Sequence, residues 1–212
     1  LMFLTGSTLD IATAVSLCVA GVFQWRMINA HHNQVIELLM LERKSQQLAL
    51  TDPLTGLLNR RALLDFAEDL GEQSGQSRLL LIDIDCFKVI NDTHGHDTGD
   101  RVLKFVVGLL AKVSDDRCHV ARHGGEEFVM LFRGKTAAET CEAVDDVRED
   151  LASRSLVNRT NGERMDRVSF SAGVANVLAY DDPRAALKAA DRALYLAKEH
   201  GRNRVYLAAE TE

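Results

Sequence analysis

The chain has 212 residues, 46% of them hydrophobic and 26% charged, with a formal net charge of −6, 14 glycines and two prolines. This is room for one domain of ordinary size plus an appendage, with no low-complexity tract, no internal repeat and no basic stripe of the kind a nucleic-acid surface requires. Cys18, Cys86, Cys118 and Cys141 lack CxxC spacing, so neither a zinc site nor a disulfide framework is indicated, and a reducing compartment is the default.

Residues 1–28 are the outlier. Asp10 is the only charged residue before Arg26, and Ile11 to Phe23 is apolar or small throughout. The stretch from Leu1 to Trp25 has the length of a membrane span, which needs about 20 residues. Trp25 suits the interface, with Arg26, Arg43 and Lys44 on the cytoplasmic side. Against this stand the cost of a carboxylate at Asp10 and the Thr and Ser content. A secretory signal fits poorly, because no basic region precedes the apolar run. A transmembrane segment is therefore expected at 1–28; a buried or partner-packed helix of a soluble protein is the alternative. In residues 29–50, Leu38, Leu41 and Leu48 follow 3-4-7 spacing with Ser45 completing the seam, which suggests a short coiled coil pairing two chains. A lone amphipathic helix is the other reading.

From Thr51 to the end, residues 51–212, the pattern is globular. Asp52-Pro53 marks a break, because proline disfavours helix in the residue before it, and Asn59 caps a helix to about Leu70. Arg78 to Asp83 reads as a buried strand. Asp97 to Val113 reads as a helix with Val102, Phe105, Val106, Leu109 and Leu110 on its apolar face. His119–Arg122 and Glu127–Phe132 form a hairpin. A helix over Thr136–Arg154, a strand over Arg167–Val177, a helix over Pro183–His200 and a strand over Asn203–Leu207 complete the order. Helices between strands, with one hairpin, give an α/β fold with a mixed sheet.

The chemistry concentrates in a few places. Gly124 and Gly125 lack Cβ atoms, so the backbone can turn tightly and lie against a bulky ligand, and Glu126 and Glu127 follow at once. An ordinary hairpin with solvated glutamates is the plain alternative. Asp83 ends a buried strand, and Mg²⁺ takes one or two such carboxylates while leaving positions for substrate phosphates. Asp83 and Glu127 meet if their strands are neighbours. Lys88, just beyond, offers a compact charge for a phosphate. Asn91 and Asp100 together match the donor edge of guanine, although Asp97 and Asp100 also suit a helix N-terminus. His94 and His96 are not convincing zinc ligands. Near the end, Gly201 resembles a helix C-cap; Lys198 suits a last helical turn in any case, and Arg202 lies beyond it within reach of a triphosphate.

Five stretches, Asp52–Arg61, Asp83–Asp92, Gly95–Asp100, Arg122–Phe128 and Gly201–Arg204, closely resemble the GGDEF-domain diguanylate cyclase family, in family order and over about Leu50 to Leu207. The resemblance implies condensation of two GTP into cyclic di-GMP with release of two pyrophosphates. It implies a mixed five-stranded central sheet flanked by helices, similar to the palm of adenylyl cyclases and polymerases, here preceded by an N-terminal helix. Carried onto this chain, Asp83, Glu127 and the Ile84 carbonyl bind Mg²⁺ or Mn²⁺, and Glu126 is a further ligand or the base for the ribose 3′-hydroxyl. Gly124 and Gly125 admit the phosphates, Asn91 and Asp100 read guanine, and Lys88, Lys198 and Arg202 hold the triphosphate; Phe87 and His96 join the substrate set. Each domain holds one GTP, so a homodimer is needed. With a membrane segment at 1–28, the expected location is a bacterial inner membrane with a cytoplasmic catalytic domain, or else the soluble cytoplasm.

One departure stands out. Many family members carry an Arg-x-x-Asp product-inhibition site ending five residues before the glycine pair, where this chain has Asp115 and Cys118 in the two signature positions. No strong feedback inhibition is expected there. The competing readings are a catalytically silent module that binds GTP or a partner, and a cyclase making a 3′,5′-cyclic monophosphate from one nucleotide.

Overall fold

The computed structural model describes residues 5–48, 50–68, 76–158 and 162–209, in two compact units, Leu1–Ala49 and Leu50–Glu212. The first unit is one continuous helix, α1 (Thr5–Leu48). The two segments expected at 1–28 and 29–50 thus share a single helix, about 66 Å long at 1.5 Å per residue. Every side chain described between Val15 and Glu42 is exposed, including Leu17, Phe23, Trp25, Leu38 and Leu41. The side chains of Asp10, Arg43, Lys44, Ser45 and Leu48 lie outside the described residues.

The expected transmembrane segment is not met: among the described residues no helix is long and apolar enough to cross a membrane. Ile11 to Phe23, with Gln24 and Arg26 following, rises only about 20 Å as a helix, against a hydrocarbon core of about 30 Å.

The second unit is a six-stranded sheet with helices on both faces. In chain order it comprises β1 (Leu58–Asn59), α2 (Arg60–Glu68), β2 (Ser77–Ile84), α3 (Phe87–His94), α4 (His96–Leu110), β3 (Cys118–Gly124), β4 (Glu127–Arg133), α5 (Ala137–Ser153), β5 (Phe170–Asn176), α6 (Pro183–Glu199) and β6 (Val205–Leu207). The strands lie in the order β1-β3-β4-β2-β5-β6. The two edge pairings, β1 with β3 and β5 with β6, are parallel, and the three inner ones are antiparallel.

The count corrects the expected five strands to six. The extra strand is the two-residue β1, too short to show any alternation. Residues 87–94, for which no element is expected, form the two-turn helix α3; Phe87 is its one fully buried side chain, and Ile90, a turn later, packs partly buried against the same core. The helix after Asn59 runs to Glu68, and Leu70 lies outside the described residues.

β2 is buried on both faces, as a central strand must be. Leu80, Ile82 and Ile84 pack under α4 and α5 with Val102, Val106, Leu110, Val144 and Leu151. Leu79 and Leu81, at the alternate positions, pack under α2 and α6 with Leu63, Leu187, Ala190 and Leu194. Local chemistry sets the helix starts. Asn59 accepts a bond from the Ala62 amide at 2.9 Å. Thr136 and Glu139 form a reciprocal capping box, and Asp182 caps α6 ahead of Pro183. α6 lies so close to β5 that a Cβ on Gly173 would sit 2.0 Å from the Ala190 carbonyl oxygen and 2.5 Å from the Leu194 nitrogen.

Candidate active site

The antiparallel register brings the acids together. Asp83, next to last on β2, is the direct ladder partner of Glu127, the first residue of β4. Facing side chains of such a pair lie about 5 Å apart, and like charges there destabilise a sheet. Asp83 is only 8% exposed. Burial raises its proton affinity, and the Glu126 and Asp85 charges push the same way, while the bond and charge of Lys198 oppose them. Glu127 is likewise raised, first by burial and then by Asp83, Asp191 and Glu126, again against Lys198. The cation comes from the last turn of α6: Lys198 Nζ lies 2.8 Å from Asp83 Oδ2.

A crowd of carboxylates at a strand end, short of positive charge, suits a hard divalent cation. Among the described residues no three His, Cys, Asp or Glu side chains converge as a ready cage. The donor set fits a cation held by two carboxylates, with its remaining positions left to phosphate oxygens and water. The Ile84 amide approaches the Glu126 carbonyl at 3.4 Å, which ties the turn to the end of β2.

The Gly-Gly turn is shaped by a clamp that local sequence patterns do not reveal. The Arg122 guanidinium donates to the Gly125 carbonyl at 2.7 and 3.1 Å and to both Asp52 oxygens at 3.1 and 3.2 Å. Asp52 also accepts from the Thr55 amide at 2.8 Å and hydroxyl at 2.6 Å. Burial pushes the Asp52 carboxyl up, but these bonds outweigh it and hold the group below the usual carboxylate range. Gly125 has φ +53, and a Cβ on Gly124 or Gly125 would meet nothing within 4 Å, so the turn faces open space. His123 beside it has a buried Nδ1 without a partner, and burial, then the Arg60 charge, disfavours its protonation.

The guanine-edge candidates lie on α3 and α4. A Cβ on Gly99 would sit 1.9 Å from Asn91 Oδ1 and 3.2 Å from Phe87 Cζ, so glycine is what lets the Asn91 amide lie against α4. Phe87 is buried beneath it. Asp100 is the next residue and is exposed. Lys88, His96, Asp100 and Arg202 have exposed side chains that make no hydrogen bond or ion pair among the described residues. The structure thus joins Asp83, Glu127 and Lys198 directly and groups Asn91 with Phe87 and Gly99; it does not tie Lys88 or His96 to either set.

Position 118 is the first residue of β3, with its thiol buried and pushed up to about 12 by burial, then by the Asp115 charge. Asp115 spends its Oδ1 on the Arg117 amide at 2.8 Å. Neither side chain resembles an arginine–carboxylate pair presented to a ligand.

Residues 49–204 match the family model described as diguanylate cyclase, GGDEF domain. Among curated relatives, the diguanylate cyclase VdcA of Vibrio cholerae is 32% identical over 178 residues, covering 84% of this chain and 52% of that protein. The response regulator PleD of Caulobacter vibrioides is 40% identical over 169 residues, covering 76% of this chain and 36% of that one. The chain therefore spans about half or less of these relatives' length. Among solved structures, the GGDEF domain of DgcB from Caulobacter crescentus, in complex with c-di-GMP, superposes with a TM-score of 0.72 at 36% identity, covering 76% of this chain and 96% of that one.

Proposed function

The chain belongs to the GGDEF-domain family of diguanylate cyclases, and from that premise we propose that it condenses two GTP molecules into cyclic di-GMP with release of two pyrophosphates. The observation that carries this reading is the ladder pairing of Asp83 with Glu127, with Lys198 at 2.8 Å from Asp83, beside an open Gly-Gly turn. In this reading Asp83, Glu127 and the Ile84 carbonyl hold Mg²⁺ or Mn²⁺. Glu126 adds a ligand or takes the proton of the attacking 3′-hydroxyl. The bound metal supplies Lewis acidity at the α-phosphate and charge neutralisation for the leaving pyrophosphate. Lys198 and Arg202 hold the phosphates of GTP, with Lys88 at the rim, while the Gly124–Gly125 backbone leaves them room.

One domain holds one nucleotide, so the two GTP molecules meet across a two-fold axis between chains. The exposure of Leu38 and Leu41 along α1 supports pairing through that helix, since a long helix with its apolar residues in water lacks the burial that normally stabilises it. Pairing would raise the encounter rate of two loaded domains through effective concentration. With Cys118 buried and Asp115 engaged, feedback by product at that position is absent in this reading.

Incubating the purified chain with GTP and Mg²⁺, and identifying the product by mass, tests the proposal. Cyclic di-GMP is expected. No turnover under conditions that force dimerisation would leave a silent binding module instead, and cyclic GMP would indicate single-nucleotide chemistry. Guanine reading has its own test. Gly99→Ala is expected to displace the Asn91 amide and raise KM for GTP about tenfold, the scale of one lost hydrogen bond in a site built for it. Discrimination between GTP and ITP, which lacks the exocyclic amine, should fall with it. Unchanged discrimination would remove Asn91 from base recognition.

A further inference from the structure

Asp85, the second acid of the Asp-Ile-Asp run, is 7% exposed, and its bonds show why it is unsuited to hold a metal. Oδ1 accepts from the Ser171 hydroxyl at 2.7 Å, and Oδ2 from the Ser169 hydroxyl at 2.6 Å and the Asn203 amide at 3.0 Å. The Asp85 amide in turn donates to the Ser169 carbonyl at 2.9 Å. The carboxylate is thus spent on protein donors on two other segments. One of these is the turn after α6, where Arg202 has φ +62 and Asn203 φ +49. Two consecutive non-glycine residues in the left-handed region are disfavoured and persist only where their surroundings hold them.

Other ties support this turn from the side of α6 and α5. The Gly201 amide donates to the Lys198 carbonyl and the Arg202 amide to the Ala197 carbonyl, a Schellman closure. The Arg148 guanidinium donates to Asn203 Oδ1 at 3.0 Å. The Asp85 bond is the charge-assisted tie that fastens the turn to the end of β2, two residues beyond Asp83.

We propose that Asp85 is a positioning residue: it locks the Arg202–Asn203 turn against the metal-holding end of β2, so that Arg202 is presented to the triphosphate of the substrate. This rests on the triphosphate role given to Arg202 above. It deepens that role, because it makes the triphosphate contact depend on an acid that touches neither metal nor nucleotide. Without the tie, the left-handed pair relaxes and the Arg202 guanidinium loses its fixed origin.

The test compares binding of GMP and of guanosine 5′-[α,β-methylene]triphosphate, which cannot release pyrophosphate, by calorimetry with Mg²⁺ on the full chain. Asp85→Ala is expected to weaken the triphosphate about tenfold while changing GMP less than about twofold, since misplacing a group by an ångström has effects of this order or larger. Arg202→Ala should give the same selective loss. Asp85→Asn should restore binding, because its amide oxygen still accepts from the Asn203 amide while its NH₂ turns to a serine hydroxyl. Should Asp85→Ala not stay folded, Ser169→Ala frees the oxygen that grips Asn203 and is expected to shift selectivity in the same direction by a smaller factor.

Equal weakening of both ligands by Asp85→Ala, or none, overturns the inference when Arg202→Ala remains selective. So does a Ser169→Ala variant without selectivity where Asp85→Ala is unfolded. An Arg202→Ala variant without selective loss instead overturns the triphosphate role of Arg202, and the consequence drawn for Asp85 falls with it.

Discussion

Glu127→Gln is expected to lower cyclic di-GMP formation on the order of 10²–10³-fold, the scale on which preorganised charge stabilisation acts. The substitution keeps shape and removes only the charge that faces Asp83 across the ladder. Its effect on stability should run the other way. Burial raises both carboxyls above their usual range, joined by the Asp83 charge at Glu127 and by the Glu126 and Asp85 charges at Asp83, so the native state holds their protons more tightly than the unfolded chain. Ionised, the pair destabilises the fold at neutral pH, and this penalty disappears as the pH falls below the ordinary carboxylate range. Gln at 127 relieves it. In EDTA at pH 7, the variant should therefore unfold at the same temperature as the parent or a higher one, with the difference fading in acid. Turnover retained within tenfold would take Glu127 out of the metal-holding pair.

Gly173→Ala is expected to cost about 3 kcal/mol of unfolding free energy, the upper end of ordinary overpacking. A Cβ at 173 meets backbone atoms of α6, the Ala190 oxygen and the Leu194 nitrogen, and these cannot rotate aside as a side chain can. The helix must move as a body, and it carries Lys198, so Asp83 loses its cation partner along with the packing. Gly108, exposed on α4 with nothing within 4 Å of where a Cβ would sit, provides the opposite sign. Gly108→Ala should gain roughly 0.5–1 kcal/mol through the lower backbone entropy of the unfolded chain. Urea unfolding of the two variants checks both; equal effects would show that the close approach of α6 to β5 does not limit stability.

Much of the fold was legible because its elements are long or strongly patterned. The strand around Leu79–Ile84, the helices at Asp97–Val113 and Pro183–His200 and the Gly-Gly hairpin all appear, with ends shifted by a few residues. What escaped had no pattern to read. β1 has two residues, and α3 fully buries a single side chain. The membrane span expected at 1–28 finds no support: among the described residues no helix is long and apolar enough to cross a membrane, and residues 1–4 lie outside them.

The candidate site divides in the same way. Sequence alone determined the inventory and its family: the five motifs, the carboxylates Asp83, Glu126 and Glu127, the two glycines, the cations near the C-terminus, and the exchanged residues at positions 115 and 118. Each is a short string whose chemistry survives without its neighbours. Only the tertiary structure decided which of these groups act on one another. It set Asp83 against Glu127 and Lys198, clamped the Gly-Gly turn to Asp52 through Arg122 across 70 residues, and engaged Asp85 with the Asn203 amide 118 residues on. The physical reason is that hydrogen bonds and ion pairs are decided by distances of a few ångströms, and strand register and helix approach set those distances between segments remote in the chain.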